Sequence, residues 1–329
     1  MKILVTGGAG YIGGHVILRL KKENVFTVVY DNFSTGVKDA VLYGEIVTGD
    51  LKDKAALSEL FLKYKFDAVF HLAASVSVTE SLENPLKYYN QNLVNTINLL
   101  SECVKHNTRY FIFSSTAAVY SDKTDKPVSE KSILAPQSPY GYSKMAAEKI
   151  IEDFSKAYGI NFVILRYFNV AGADYKMRIG QSIDSSHLIK KACQTALASY
   201  KKMSVYGTDY KTFDGTAIRD YIHVEDIAQA HMLALQYLKL QKKSGIFNVG
   251  YGRGYSVKQI VEAVKKVSKV DFTVENRKRR KGDAESLIAD NRLIKNLLGW
   301  RPKYDNIDDI VETAWKWEQI LYKKNNALA

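Results

Sequence analysis

The chain has 329 residues, 46% of them hydrophobic and 25% charged, with 5 prolines and 2 cysteines. That is enough to bury a sizeable core and too evenly mixed for a disordered or low-complexity chain. A formal net charge of +12 invites a nucleic-acid partner, but the basic residues are interspersed with acids except in one dense run, Arg277 to Lys281, where a solvated face or a small anionic ligand is the better reading.

The first apolar run, KILVT (2–6), reaches glycine too soon for a signal-peptide core or a membrane span, which points to the cytoplasm. Further apolar runs at 26–31, 67–74, 109–115 and 161–169 alternate with amphipathic stretches of helical length. Strands buried on both faces read as unbroken apolar runs, so the pattern predicts an α/β fold on a doubly wound parallel sheet. SVYG (204–207), a helix around 224–239, GIFNVG (245–250) and helices near 256–269 and 307–322 follow, and predict a smaller C-terminal α/β lobe. In the last helix Ile310, Ala314, Trp317 and Leu321 have the spacing of a stripe packed on that lobe. Cys103 and Cys193 lie in separate helical segments and read as buried free thiols. The histidines show no ligand spacing, so no metal is expected, and His71 and His223 read as hydrogen-bonded strand ends.

VTGGAGYIGGHV places Gly7, Gly8, Gly10 and Gly13 between the first strand and a helix. Glycines there permit a tight turn, close approach to a pyrophosphate and close helix packing, while the helix start at Tyr11, Ile12 and Gly13 offers unpaired N–H groups. Asp31, at the end of the second strand, supplies the acid for an adenosine ribose; its alternative role is to cap the loop DNFS. A carboxylate there repels a 2′-phosphate, so the expected cofactor is NAD rather than NADP. TGDL (48–51) puts Asp50 near the adenine.

In SPYGYSKMAAEK (138–149) a helix following Pro139 sets Tyr140 and Lys144 on one face and turns Tyr142 away. A phenol titrates near ~10, but a nearby ammonium and an oxidised nicotinamide both favour the phenolate, making Tyr140 a candidate general base. Taken alone, the pair reads better as a stretch of ordinary helix; only the dinucleotide fingerprint upstream on the same sheet gives it weight. FSSTAAVY (113–120) offers Ser114, Ser115 and Thr116 at the end of the preceding strand, with Thr116 as the hydroxyl that bridges the substrate and Tyr140.

TGGAGYIG, FSSTAAVY, SPYGYSK, RYFNVAGA, RDYIHVEDIA, NVGYGRGYSV and RRKGDAESLIAD together resemble the UDP-galactose 4-epimerases of the extended short-chain dehydrogenase/reductase superfamily, over essentially the whole chain. The resemblance implies that Tyr140 takes the proton of the sugar 4-hydroxyl while hydride passes to bound NAD, that the 4-keto sugar turns, and that hydride returns to its other face. It implies a cofactor site that also includes Asn32, Leu51, Leu72, Ala73, Ala74, Asn92, Ser114 and Tyr167. For the UDP-sugar it implies Arg219 and Arg280 on the diphosphate, with Phe168, Asn169, His187, Leu188, Val205, Tyr206 and Asp283 around the sugar, diphosphate and uridine. Arg219 and Asp283 are alternatively a structural ion pair.

Departures from the pattern carry information. Leu287 stands where glucose-specific members have a tyrosine, which implies a pocket that admits UDP-GlcNAc and UDP-GalNAc beside UDP-glucose and UDP-galactose. His187 replaces an asparagine that contacts the diphosphate, and Val76 a lysine near the pyrophosphate. Ala117 and Ala118 occupy the places where sugar-nucleotide 4,6-dehydratases carry Asp-Glu and UDP-glucuronate decarboxylases carry a glutamate, so elimination lacks its acid and base. A non-catalytic NAD-binding protein on the same fold is the remaining alternative, opposed by the joint presence of Thr116, Tyr140 and Lys144. The resemblance also implies a homodimer through helices spanning 84–106 and 140–158, whose apolar faces core packing would equally explain. The expected division is an NAD lobe of residues 1–172 with a return segment at 220–250, and a UDP-sugar lobe of 173–219 and 251–329. No nucleic-acid or membrane partner is expected.

Overall fold

The computed structural model describes residues 1–122, 127–182, 186–280 and 282–326. Its larger layer begins with β1 (Lys2–Thr6), α1 (Tyr11–Lys22), β2 (Phe26–Asp31), β3 (Glu45–Thr48), α2 (Lys54–Tyr64) and β4 (Ala68–His71). Helices α3 (Val78–Glu83), α4 (Pro85–Tyr89) and α5 (Asn95–Lys105) follow, with a π-helical turn at Asn90–Val94 joining the last two. Then come β5 (Tyr110–Thr116), α6 (Pro139–Tyr158) and β6 (Asn161–Tyr167). In a fully parallel seven-stranded sheet the strands run β3-β2-β1-β4-β5-β6 and then a later strand, β10. Chain order reverses between β1 and β4, and a crevice opens there at the carboxyl ends of the strands.

Alternation along β1 explains the two cores. Ile3 and Val5 face one side, with Val16, Ile17 and Leu20 of α1, while Leu4 faces the other, with Leu57, Leu60 and Phe61 of α2 and Leu99 and Leu100 of α5. Every one of these residues is buried, so the strands read as apolar runs.

The smaller lobe starts with β7 (Asn169–Ala171), α7 (Leu188–Ala196), β8 (Met203–Tyr206) and β9 (Ile218–His223). The run 161–169, read from sequence as one strand, divides here: β6 ends at Tyr167, and β7 pairs with β9 in a second sheet. The chain next returns to the large layer through α8 (Val224–Gln241), which packs on α1, and β10 (Gly245–Val249), which pairs with β6. Elements β11 (Gly254–Ser256), α9 (Val257–Ser268), β12 (Val274–Arg277), β13 (Ser286–Leu287) and, after α10 (Arg292–Leu298), which packs on α8 and β10 of the large layer, α11 (Ile307–Asn326) complete the smaller lobe. Both β11 and β13 pair with β9, and β12 with β8.

Helices α7, α9 and α11 enclose a third core. The buried face of α11 contains Ile310 and Ala314 and continues through Val311, Thr313 and Glu318, whose carboxylate meets buried Lys190 of α7, while Trp317 and Leu321 of the expected stripe are only half-buried. Both cysteines are buried free thiols. His71 and His223 end β4 and β9 with both ring nitrogens hydrogen-bonded. Among the described residues no helix is long and apolar enough to cross a membrane, and no group of His, Cys, Asp and Glu could hold a metal ion.

Candidate active site

The turn after β1 has little room for side chains. Gly7 has φ of +70°, and a Cβ there would stand 2.6 Å from the Ala73 Cα; one on Gly13 would stand 2.7 Å from the Gly8 Cα. Gly10 caps α1 without a side-chain hydrogen bond, so the first-turn amides of Tyr11, Ile12 and Gly13 lack intrahelical acceptors. These amides and the strand ends around Leu72, Ala73 and Ala74 make a cradle at the crevice that suits a pyrophosphate. Tyr11 offers its backbone there, since its hydroxyl donates to the Gly172 carbonyl at 2.7 Å.

Asp31 ends β2 beside this cradle, its oxygens accepting the Ala9 and Phe33 amides at 2.9 Å each. The loop-capping role is thus real, and it fixes the orientation of the buried carboxylate. Asn32 donates to Asp50 at 2.9 Å, which draws that pair together at the ends of β2 and β3. Leu51 is buried in the core next to them. Asn92 lies in the π-helical turn, buried, with both amide hydrogens used by the Ser75 carbonyl and the Ser143 hydroxyl at 3.0 Å. It ties the loop after β4 to α6. Val76 is 63% exposed in that loop.

Helix α6 starts cleanly because Ser138 caps the Gly141 amide and Pro139 occupies the first turn. Tyr140 and Lys144 project from one buried face and Tyr142 is exposed. The Tyr140 phenol faces the Thr116 hydroxyl, which tempers its pKa, its ring sits edge-on to Tyr88 at 6.3 Å, and Lys144 Nζ donates to the Ser114 carbonyl at 2.8 Å. Ser114 and Thr116 therefore face the pair, while Ser115 turns to the other side of β5, where its hydroxyl donates to Glu148 at 2.5 Å. Burial pushes the Lys144 ammonium down to about 7, opposed by Glu148 one helical turn away. Burial also raises Tyr140, against the Thr116 hydroxyl. The chain alone thus favours a neutral pair, and a cationic cofactor next to it is what would tip Tyr140 towards phenolate.

Sequence reading missed the network beneath this pair. Arg166 of β6 is 2% exposed and grips Glu148 through Nε and a terminal nitrogen, the shortest contact being 2.6 Å. It also donates to the Tyr120 hydroxyl at 2.9 Å, which donates to Asn248 at 2.6 Å. A lone arginine in an otherwise apolar strand was the available signal, since a buried guanidinium requires a carboxylate. Glu148→Ala strands Arg166 and is expected to lower unfolding free energy by about 3–5 kcal/mol in denaturant titration; a loss below about 1 kcal/mol would mean that the pair is not a structural element.

On the opposite wall the short strands assemble the other candidates. Leu287 of β13 stands in register with Arg219 of β9, and Arg219 approaches Asp283 at 3.7 Å, which realises the ion-pair alternative without occupying the whole guanidinium. Arg280 stacks over the Tyr206 ring at 4.0 Å, next to buried Val205 on β8. Leu287 packs on a cluster with Ala117 and Phe168, which carries it to the residues following Thr116. Asn169 is exposed at the start of β7. His187 caps α7, its ring bonded to Gln181, and Leu188 opens the helix. Residues 183–185 of that segment and Lys281 lie outside the described residues.

Comparison with known proteins agrees with this arrangement. Residues 3–250 match the NAD dependent epimerase/dehydratase family. A UDP-glucose 4-epimerase of Halalkalibacterium halodurans is 42% identical over 97% of this chain and 96% of its own. The crystal structure of UDP-glucose 4-epimerase from Brucella ovis in complex with NAD superposes with a TM-score of 0.92 at 42% identity, covering 96% of this chain and 97% of that one. The UDP-Glc/GlcNAc 4-epimerase of Campylobacter jejuni is 47% identical with a TM-score of 0.85, covering 97% of this chain and 99% of that one. With the glycine cradle, the aspartate after it and the tyrosine–lysine pair on one sheet edge, the chain belongs to the NAD dependent epimerase/dehydratase family.

Proposed function

We propose that this enzyme interconverts UDP-glucose and UDP-galactose by inverting C4, and that it does the same to UDP-GlcNAc and UDP-GalNAc. The observation that carries the reading is the Thr116–Tyr140–Lys144 cluster at the carboxyl edge of β5, followed by Ala117 and Ala118, where elimination would need acids. When bound, NAD supplies a reversible two-electron acceptor at C4. Gly7, Gly10, Gly13 and the first turn of α1 hold its pyrophosphate, and Asp31 its adenosine ribose. Tyr140 removes the 4-hydroxyl proton and returns it, Thr116 holds the substrate oxygen within reach, and Lys144 keeps the phenolate accessible. In this reading the NAD lobe ends with β6 and regains α8, β10 and α10, while β7, β9 and the other elements after Tyr167 form the UDP-sugar lobe, so the boundary expected at 172 moves to the end of β6.

Arg219 and Arg280 hold the diphosphate and Tyr206 and Val205 the uridine. A charge-assisted hydrogen bond contributes about 1.5–3 kcal/mol, so Arg280→Ala is expected to raise KM about ten- to hundredfold with kcat little changed. Steady-state kinetics checks this; a fall in kcat at constant KM would remove Arg280 from diphosphate binding.

The enzyme is cytoplasmic and dimeric in this reading, with exposed Leu82, Leu86, Tyr89 and Val94 on the α3–α5 face as the apolar part of the interface. The function is tested by giving the purified protein UDP-galactose or UDP-GalNAc with no added NAD and following the C4 epimers by NMR. Conversion of both is expected. Conversion of UDP-galactose alone removes the N-acetyl activity, and conversion of neither, even with NAD supplied, removes the epimerase reading.

A further inference from the structure

Asn248 lies on β10 with no exposed surface and no part in the chemistry above. Its neighbours fix which way its amide points. Arg166, held by Glu148, donates to the Tyr120 hydroxyl at 2.9 Å, and that hydroxyl donates to Asn248 Oδ1 at 2.6 Å. The amide nitrogen therefore faces the other way, where the Val128 carbonyl accepts from Nδ2 at 2.8 Å and the Asp290 carbonyl lies at 3.5 Å. Val128, in the loop between β5 and α6, holds the chain just past β13. Its N–H donates to the Ile288 carbonyl and its own carbonyl accepts the Asp290 N–H, both at 2.8 Å, around a parallel bridge to Ala289. Leu287 immediately precedes these residues and packs on a cluster that contains Val128, Tyr120, Ala117 and Phe168. On its other side β13 has a two-residue ladder with β9, and the Ala289 amide donates to buried Asp220 at 3.2 Å. So short a ladder leaves the place of Leu287 to be set by Val128 as much as by β9.

We propose, resting on the reading of Leu287 as the wall of the sugar pocket, that Asn248 is a positioning residue for that wall. Through Val128 it sets how Leu287 stands against Ala117 and Phe168, and so how well the site takes an N-acetyl group in place of a hydroxyl. An edge strand of the large layer thereby shapes a pocket wall that belongs to the smaller lobe. Without Nδ2 the Val128 carbonyl loses a buried donor, and the segment that follows Leu287 is held less firmly. An N-acetyl group fills the space at the wall and depends on its place; a hydroxyl does not reach it. The Asn248 N–H also donates to Glu130 of the same loop at 2.8 Å, so the loop stays attached to β10 when the side chain is changed.

Three substitutions separate this role from general stability. Asn248→Leu keeps the volume and removes both polar atoms. In the holoenzyme it is expected to lower kcat/KM for UDP-GalNAc about tenfold, with UDP-galactose within about threefold of the parent. Tyr120→Phe removes the hydroxyl that orients the amide; it should move the same ratio in the same direction by about threefold, and it carries the test if Asn248→Leu does not fold. Leu57→Ala, in the core on the far face of the sheet, should lower Tm and leave the ratio unmoved. Equal losses on both sugars in Asn248→Leu, or the same change of ratio in Leu57→Ala, would overturn the proposal. The place of the wall is read without substrate from amide hydrogen exchange followed by mass spectrometry. Exchange in the segment 286–290 should quicken about tenfold in Asn248→Leu and not in Leu57→Ala; unchanged exchange there would overturn the proposal as well. That signal still decides the role of Asn248 if the parent converts no UDP-GalNAc, an outcome that would refute the N-acetyl reading alone.

Discussion

Replacing Tyr140 by phenylalanine is expected to lower kcat about a thousandfold while the fold and the bound NAD persist. The substitution removes one oxygen from a buried side chain whose ring already packs edge-on against Tyr88, and a phenyl ring keeps that contact. What disappears is the hydroxyl that faces Thr116 and lies on the Lys144 face of α6. Without it the 4-hydroxyl proton has no acceptor of matched pKa. Burial raises Tyr140 and lowers Lys144 to about 7 in the chain by itself, and a cationic cofactor beside them favours the phenolate. Activity of the parent should therefore rise with pH as the phenolate forms. NMR assay of the epimers with parallel measurement of bound NAD checks the prediction. Undiminished turnover in Tyr140→Phe would transfer the base to another residue.

Leu287→Tyr is expected to reduce turnover of UDP-GalNAc relative to UDP-galactose about a hundredfold, with the plain hexose spared. The prediction rests on where β13 sits. Leu287 is opposite Arg219 in register and packs on the cluster of Ala117 and Phe168, so a larger ring at this place takes space between Arg219 and the residues that follow Thr116. An N-acetyl group needs that space and a hydroxyl does not. Competition assays with both substrates in one tube give the ratio directly. An equal loss on both sugars would mean that the tyrosine disturbs β13 rather than narrows a pocket.

Much of the catalytic half was legible because its signals are local. Strands buried on both faces must be apolar throughout, so β1, β2, β4, β5 and β6 stood out as runs. A turn with positive φ needs glycine, which marked Gly7. Helical geometry puts residues four apart on one face, which paired Tyr140 with Lys144 before any coordinates. Period-two alternation likewise separates Ser115 from its neighbours, and Ser115 does turn away, to Glu148.

What tertiary structure decided has the opposite character. The pattern of 161–169 contains no mark of the point where the chain leaves one sheet for another, because the backbone stays extended on both sides of Phe168. Leu287 occupies a strand of two residues, and its nearness to Arg219 comes from pairing across 68 positions of sequence. Arg166 and Glu148, His231 and Tyr167, and the π-helical turn that aims Asn92 at Ser143 all depend on which faces meet when helices close on the sheet. Backbone preference and residue period act over a few positions and are written in the chain. The polar partners of buried groups are chosen by long-range packing, since a buried charge or hydroxyl must be satisfied by whatever the fold brings within about 3 Å.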